Sequence, residues 1–143
     1  GDDVQPLLET LSGVKLSVAI CYEDAYGTEQ LYALPDAGIL INVSNDAWFG
    51  GSIAAHQHLQ IARMRSLEAG RHTIRSTNTG ISAFIGPKGK VHETGAQFVP
   101  VTMTRDVQPM QGSTPYSVIG NWLVLVLSTV VVGVFWIRAR ANL

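Results

Sequence analysis

Cys21 is the only cysteine in the chain, and a cysteine thiolate is a strong nucleophile toward carbonyl carbon. A free thiol with a pKa of about 8.5 is only a few per cent ionised at neutral pH, so catalysis needs a nearby base or cation. Val14, Leu16, Val18 and Ile20 alternate with Lys15, Ser17 and Ala19, which predicts a strand running straight into Cys21. Open α/β sheets place reactive groups at the carboxyl ends of their strands. A tight turn there would expose the sulfur, and a following helix N-terminus would favour the thiolate. The plain alternative is a small buried hydrophobe, which free cysteine often is. A lone cysteine excludes an internal disulfide, and no CxxC or Cys/His spacing points to structural zinc.

Other residues whose types suit chemistry fall into four groups. Glu23 and Asp24 follow the cysteine; Glu23, at i+2, could reach the side of Cys21, or the pair could be solvated acids of a helix first turn. Glu68 reads as a surface carboxylate in mid-helix. His56 and His58 form an HxH pair, but on a helix i and i+2 point apart, so no shared metal site is expected. His72 and His92 read as isolated, exposed residues. Asn42, Asn45, Asp46, Trp48 and Phe49 combine groups able to orient a carbonyl with two large aromatics. That composition suits a pocket lip or an apolar patch resting on lipid, or else an ordinary turn with Trp48 packed inward. No HExxH, Walker or Rossmann signature occurs, and no metal or cofactor is expected.

The elements that would position these residues follow from periodicity and turn chemistry. Residues 28–34 suit a short helix ended by Pro35, and Gly38-Ile-Leu-Ile-Asn-Val-Ser44 a buried strand. Residues 45–51 read as a loop. Residues 54–69, with Leu59, Ala62, Ser66 and Leu67 at helical spacing, predict an amphipathic helix. Residues 73–77 and 81–85 follow as strands around Asn78-Thr-Gly80. Gly86-Pro-Lys-Gly89 closes a hairpin into Val91, and residues 98–104 suggest a last strand. This order predicts an α/β sandwich.

Lys plus Arg (10) nearly balances Asp plus Glu (11), so no field draws the chain to nucleic acid. The hydrophobic residues are unevenly placed: residues 107–137 contain no charged side chain at all. A helix over 119–137 would be about 28 Å long at ~1.5 Å per residue, matching a hydrocarbon core of roughly 30 Å. Trp122 and Trp136 lie near its ends, and Arg138 and Arg140 follow, which places that end in the cytoplasm. A pair of buried Val-rich strands would instead need a turn within the run. The domain reading is one folded portion over 1–116, a transmembrane helix over 117–137 and a cytoplasmic tail over 138–143. The chain opens with Gly1 rather than Met and shows no signal peptide, so a C-terminal piece of a longer protein is expected.

Four motifs in order, Ala19-Ile-Cys-Tyr-Glu-Asp24, Asn42-Val-Ser-Asn-Asp-Ala-Trp-Phe-Gly50, Ala62-Arg-Met-Arg-Ser-Leu-Glu-Ala-Gly-Arg71 and Ser76-Thr-Asn-Thr-Gly-Ile-Ser82, precede the apolar run. Together they resemble the bacterial apolipoprotein N-acyltransferase family, a membrane-embedded branch of the nitrilase superfamily. The resemblance runs from about Val14 to the C-terminus. It implies a nitrilase-like αββα sandwich facing the periplasm and a multi-pass protein of the bacterial inner membrane. It implies transfer of an acyl chain from a phospholipid, typically phosphatidylethanolamine, to the N-terminal amine of a diacylglyceryl-cysteine lipoprotein, with no cofactor. Cys21 matches the thioester-forming nucleophile of a Glu-Lys-Cys triad, and Glu23 an additional active-site carboxylate. Tyr22 matches the nucleophile's neighbour, Trp48 and Phe49 a loop associated with lipid access, and Glu68 a supporting glutamate; Asn45 falls in the same substrate-binding loop. The triad Glu and Lys precede the cysteine strand in the family. Lys15 is too close and Glu9 is out of motif, so both are expected upstream, leaving the isolated piece inactive. Val118 stands where many relatives carry a basic residue. A small-amide nitrilase and a non-catalytic membrane-anchored module are the competing readings.

Overall fold

The computed structural model describes residues 5–141. Six strands form one mixed sheet in chain order: β1 (Leu8–Glu9), β2 (Lys15–Ile20), β3 (Ile39–Ser44), β4 (His72–Thr77), β5 (Ala83–Ile85) and β6 (Val91–Thr94). β2, β3 and β4 run parallel, in register Ala19↔Asn42↔Arg75, and the remaining pairs are antiparallel. Parallel neighbours need a crossover, supplied here by α1 (Gly27–Leu31) with its following turns and by α2 (Ala54–Ala69). The three parallel strands end together at Ile20, Ser44 and Thr77. The loops that follow each of them therefore share one edge of the sheet.

α2 has the extent expected from periodicity, but a different face is buried. Ala55, His58, Ala62, Ser66 and Ala69 point inward, whereas Leu67 is exposed and Leu59 only partly covered. The spacing of 3 and 4 is helical, yet the residues are small, so the helix lies close to the sheet. Ala62, Ala83 and Ile85 form the core cluster, with Leu59 and Val91 against it. Ser66 and Thr73 share a hydrogen bond of 2.6 Å at the same helix–sheet contact. Gly70 then ends α2 in the left-handed conformation, at φ 64°.

The opposite face of the sheet carries Val18, Ile20, Ile41, Val43 and Ile74, of which Ile20 and Val43 are exposed. An αββα sandwich stacks two such sheets face to face; this chain supplies one sheet with its outer helix. The strand expected over 98–104 is absent. Residues 98–111 are irregular, because Phe98 turns at φ 61° and Pro100 has no amide hydrogen to donate to a ladder.

Arg71, buried to 1% exposure, fastens this segment down. Its guanidinium donates to the carbonyls of Ala37 (2.6 Å), Pro35 (3.1 Å) and Gly112 (2.7 Å), and less closely to Ala69 and Gly70. Thr114 caps α3 (Pro115–Ile119) by accepting from the Ser117 amide at 3.0 Å, and its hydroxyl donates to the Glu68 carbonyl. Gly120, at φ 58°, separates α3 from α4 (Trp122–Ala141), so the long helix begins three residues later than apolarity suggests. Arg138 and Arg140 form its last turn rather than following it, and Arg140 lies 4.0 Å over the Trp136 ring. Residues Trp122–Arg140 are long and apolar enough to cross a membrane, and none of that stretch is buried against the domain.

Candidate active site

Cys21 directly follows β2, at the shared edge of the sheet, and is half-buried. Its φ of 53° lies in the left-handed region, where a side chain bearing a Cβ is disfavoured by about 1–2 kcal/mol. The surroundings must therefore over-determine this turn. Cys21 opens a five-residue 3-10 turn, Cys21–Ala25, rather than a regular α-helix. The Glu23 carboxylate folds back to accept from the Ile20 amide at 2.7 Å, which fixes the strand's exit. Tyr22 is exposed and meets Tyr26 edge to face at 5.8 Å.

Beneath the turn lies a buried polar cluster. Ala19, Asn42 and Arg75 are register partners on β2, β3 and β4, so their side chains project from the same face, toward α2. The small Ala19 leaves room for its two polar neighbours. The Asn42 amide donates to the carbonyls of Ala19 (3.3 Å) and Cys21 (3.2 Å), while its oxygen accepts from Arg75. Arg75 also donates to Asp24 (3.3 Å) and Asp46 (2.9 Å).

His58 enters from α2 and completes the ring. Its Nδ1 lies 3.0 Å from Asp46 Oδ1, and its Nε2 2.9 Å from Asp24 Oδ1 and 3.3 Å from the Cys21 carbonyl. Asp24, Asp46 and Arg75 are each 1% exposed and His58 4%. Burial pushes the His58 pKa down, but the hydrogen bond to Asp24 and the charges of both carboxylates outweigh it and the opposing Arg75, leaving it above 6.5. With His58 protonated, two cations face two anions and the cluster is neutral overall. Ser44 donates to Asp46 at 2.6 Å, and the Asp46 amide donates to Asn78 Oδ1 at 3.1 Å. Gly80 lies so close that a Cβ there would sit 2.0 Å from Asp46 Oδ2.

The remaining expected site residues are distributed around this centre. Asn45 accepts from the Ala47 amide (3.1 Å) and from Asn78 (2.6 Å), holding together the loops after β3 and β4. Trp48 is 87% exposed, so it is not packed inward, while the Phe49 ring meets His58 edge-on at 6.3 Å. Glu68 is largely covered and pairs with Arg65 at 3.0 Å; burial raises its pKa against the opposing charge of Arg65. Arg65 in turn presses on Gly27, where a Cβ would meet its Nη1 at 1.6 Å. Glu68 thus supports the start of α1 and has no direct contact with Cys21. His72 and His92 are not isolated: their rings, on β4 and β6, lie 6.2 Å apart at a 31° tilt, and His72 is half-buried. His56 and His58 diverge as helix geometry requires, the first into solvent and the second into the cluster.

Sequence reasoning missed His58 and Arg75 as parts of the site. The available signal was the polar inward row of β4, Thr73 and Arg75, opposite a helix stripe of small residues interrupted by one histidine.

A half-buried cysteine at the end of a strand, at the carboxyl edge of a mixed sheet with an outer helix, defines an α/β domain with a thiol where such sheets place reactive groups. The carbon-nitrogen hydrolase family model matches residues 1–116, and the chain belongs to that family. Among solved structures, a carbon-nitrogen hydrolase from Helicobacter pylori G27 shares the fold (TM-score 0.60, 18% identity, 68% of this chain and 41% of that one). An amidase from Nesterenkonia sp. does likewise (TM-score 0.57, 16% identity, 85% and 48%). Curated relatives named apolipoprotein N-acyltransferase are far closer in sequence. That of Methylococcus capsulatus is 45% identical over 138 residues, covering 96% of this chain and 27% of the relative. That of Nitrosomonas europaea is 49% identical over 127 residues, covering 89% and 25%. The chain spans about a quarter of the length of the curated relatives it matches.

Proposed function

We propose that this chain carries the nucleophile-bearing portion of a lipoprotein N-acyltransferase. The observation that carries the reading is Cys21, held in a left-handed turn at the end of β2 and followed within the same chain by an apolar helix of membrane length. The names of relatives 43–49% identical to this chain support the reaction class.

The Cys21 thiolate attacks the ester carbonyl of a phospholipid, with phosphatidylethanolamine the expected donor. The C–S bond forms, the C–O ester bond breaks, and the departing alkoxide takes a proton to leave a lysophospholipid. The N-terminal amine of a diacylglyceryl-cysteine lipoprotein then attacks the thioester. A C–N bond forms, the C–S bond breaks, and the amine's surplus proton returns through the base to the site. The base and the oxyanion-stabilising lysine implied by the family resemblance belong upstream of β2. Glu23 holds the Ile20 amide beside the nucleophile and shapes the carbonyl's approach. Tyr22, Asn45, Trp48 and Phe49 form the exposed rim that meets lipid and acceptor, and Glu68 braces α1 through Arg65. The apolar helix Trp122–Ala141, with Arg138 and Arg140 in its last turn, supports a catalytic portion on the periplasmic side of a bacterial inner membrane and a tail in the cytoplasm.

A nitrilase-type amidase is the competing enzyme, but a small soluble amide gives no use for an exposed Trp48 or a membrane-length helix. The test is Cys21→Ala in the complete gene product, assayed for acylation of a diacylated lipopeptide. Turnover should vanish; unchanged turnover would refute the reading.

A further inference from the structure

We infer that His58 is a positioning residue for the nucleophile turn, acting through the Cys21 carbonyl; this rests on the reading of Cys21 as the nucleophile. Both ring nitrogens of His58 face only acceptor oxygens: Nδ1 meets Asp46, and Nε2 meets Asp24 and the Cys21 carbonyl. A neutral imidazole would turn a lone pair on one of these oxygens, so the doubly protonated ring is the form that fits. It acts as a donor at both ends, bridging the loop after β3 to the 3-10 turn that begins at Cys21.

The bridge addresses a specific need. Cys21 occupies a backbone conformation that costs free energy, and its carbonyl is held from below by two donors, Asn42 at 3.2 Å and His58 at 3.3 Å. Asn42 is itself oriented by Arg75, and His58 by two carboxylates, so neither donor is free to rotate away. The titratable groups facing the ring are Asp24 on the 3-10 turn, Asp46 on the loop after β3 and Arg75 on β4. None of these reaches the sulfur. Their effect is geometric: they fix the peptide that carries the thiol. Phe49 closes the outer side of the ring, linking the exposed loop to the same anchor. Displacing a reacting atom by about 1 Å can cost on the order of 100-fold in rate.

The test uses the complete protein in mixed micelles with phosphatidylethanolamine, following single-turnover acylation of the Cys21 peptide by mass spectrometry. The rate constant reports geometry and the amplitude reports the folded fraction. His58→Ala should lower the rate constant at least tenfold, and His58→Gln, which keeps one donor, should recover part of it. A lower amplitude with the rate constant within twofold of the parent would show a purely structural role and overturn the inference. If His58→Ala gives no folded protein, Asp24→Asn decides: it should also slow acylation, and an unchanged rate constant overturns the proposal. Cys21→Ala run in parallel separates the two readings. Acyl transfer surviving in that variant defeats the nucleophile assignment itself, whatever the His58 variants do.

Discussion

Arg75→Met removes the hub of the buried cluster with little change of volume. In the parent, the guanidinium meets Asp46 at 2.9 Å and Asp24 at 3.3 Å and also donates to Asn42, all at side-chain exposures of 2% or less for the charged groups. The variant leaves two carboxylates with one imidazolium, a net negative charge with no access to water. Hydrogen bonds to charged groups are worth about 1.5–3 kcal/mol each, and breaking a buried pair costs roughly 3–5 kcal/mol. The longer Asp24 contact sits at the weak end, so a loss of about 3–5 kcal/mol is expected, roughly 10 °C or more in Tm for a chain of this size. Thermal unfolding of the detergent-solubilised protein measures it. Adding Asp46→Asn restores charge balance, so the double variant should lose about 1–3 kcal/mol less than the sum of the singles. A single-variant cost below about 1 kcal/mol, or strict additivity in the cycle, would refute the view that the cluster is a coupled unit.

Three further outcomes follow from the same geometry. Gly80→Ala should destabilise by about 1–3 kcal/mol, because its Cβ would drive into the Asp46 carboxylate; a Tm equal to the parent's would mean the loop yields freely. The stability contributed by His58 should be full below pH 6.5 and fall as pH rises through its elevated folded value, since the unfolded ring loses its proton first. Tm measured from pH 6 upward should therefore decline more in the parent than in His58→Gln, and parallel curves would contradict this. Trp48→Ala should leave Tm unchanged, as its side chain is 87% exposed, yet raise the KM for phospholipid of the complete protein in mixed micelles; an unaltered KM would remove Trp48 from lipid contact.

The strand into Cys21 was legible because hydrophobic alternation over residues 14–20 needs no tertiary information. α2 was legible in extent for a similar reason, since its period is local and Gly70 stops it. Its buried face was not, because apolarity pointed to Leu67 while the close approach to the sheet selected Ala62, Ser66 and His58. β4 shows the same inversion: Thr73 and Arg75 face α2, and Ile74 lies on the opposite face, where a second sheet would pack in a full sandwich. The 98–104 segment failed as a strand because apolar composition cannot supply the amide that Pro100 lacks or undo the turn at Phe98. Cys21, Glu23, Trp48 and Phe49 stood out by residue type and placement and took their roles from motif resemblance, and the structure adds what motif cannot convey, the buried ring of charge beneath the cysteine turn.

The most direct test of the central claim is covalent capture. The complete protein, incubated with phosphatidylethanolamine bearing a labelled acyl chain and no lipoprotein acceptor, should accumulate label on the Cys21 peptide as a hydroxylamine-sensitive thioester. Adding a diacylated lipopeptide should discharge that label onto the peptide's N-terminal amine. Label that reaches the lipopeptide without passing through Cys21, or that persists in Cys21→Ala, would contradict the account.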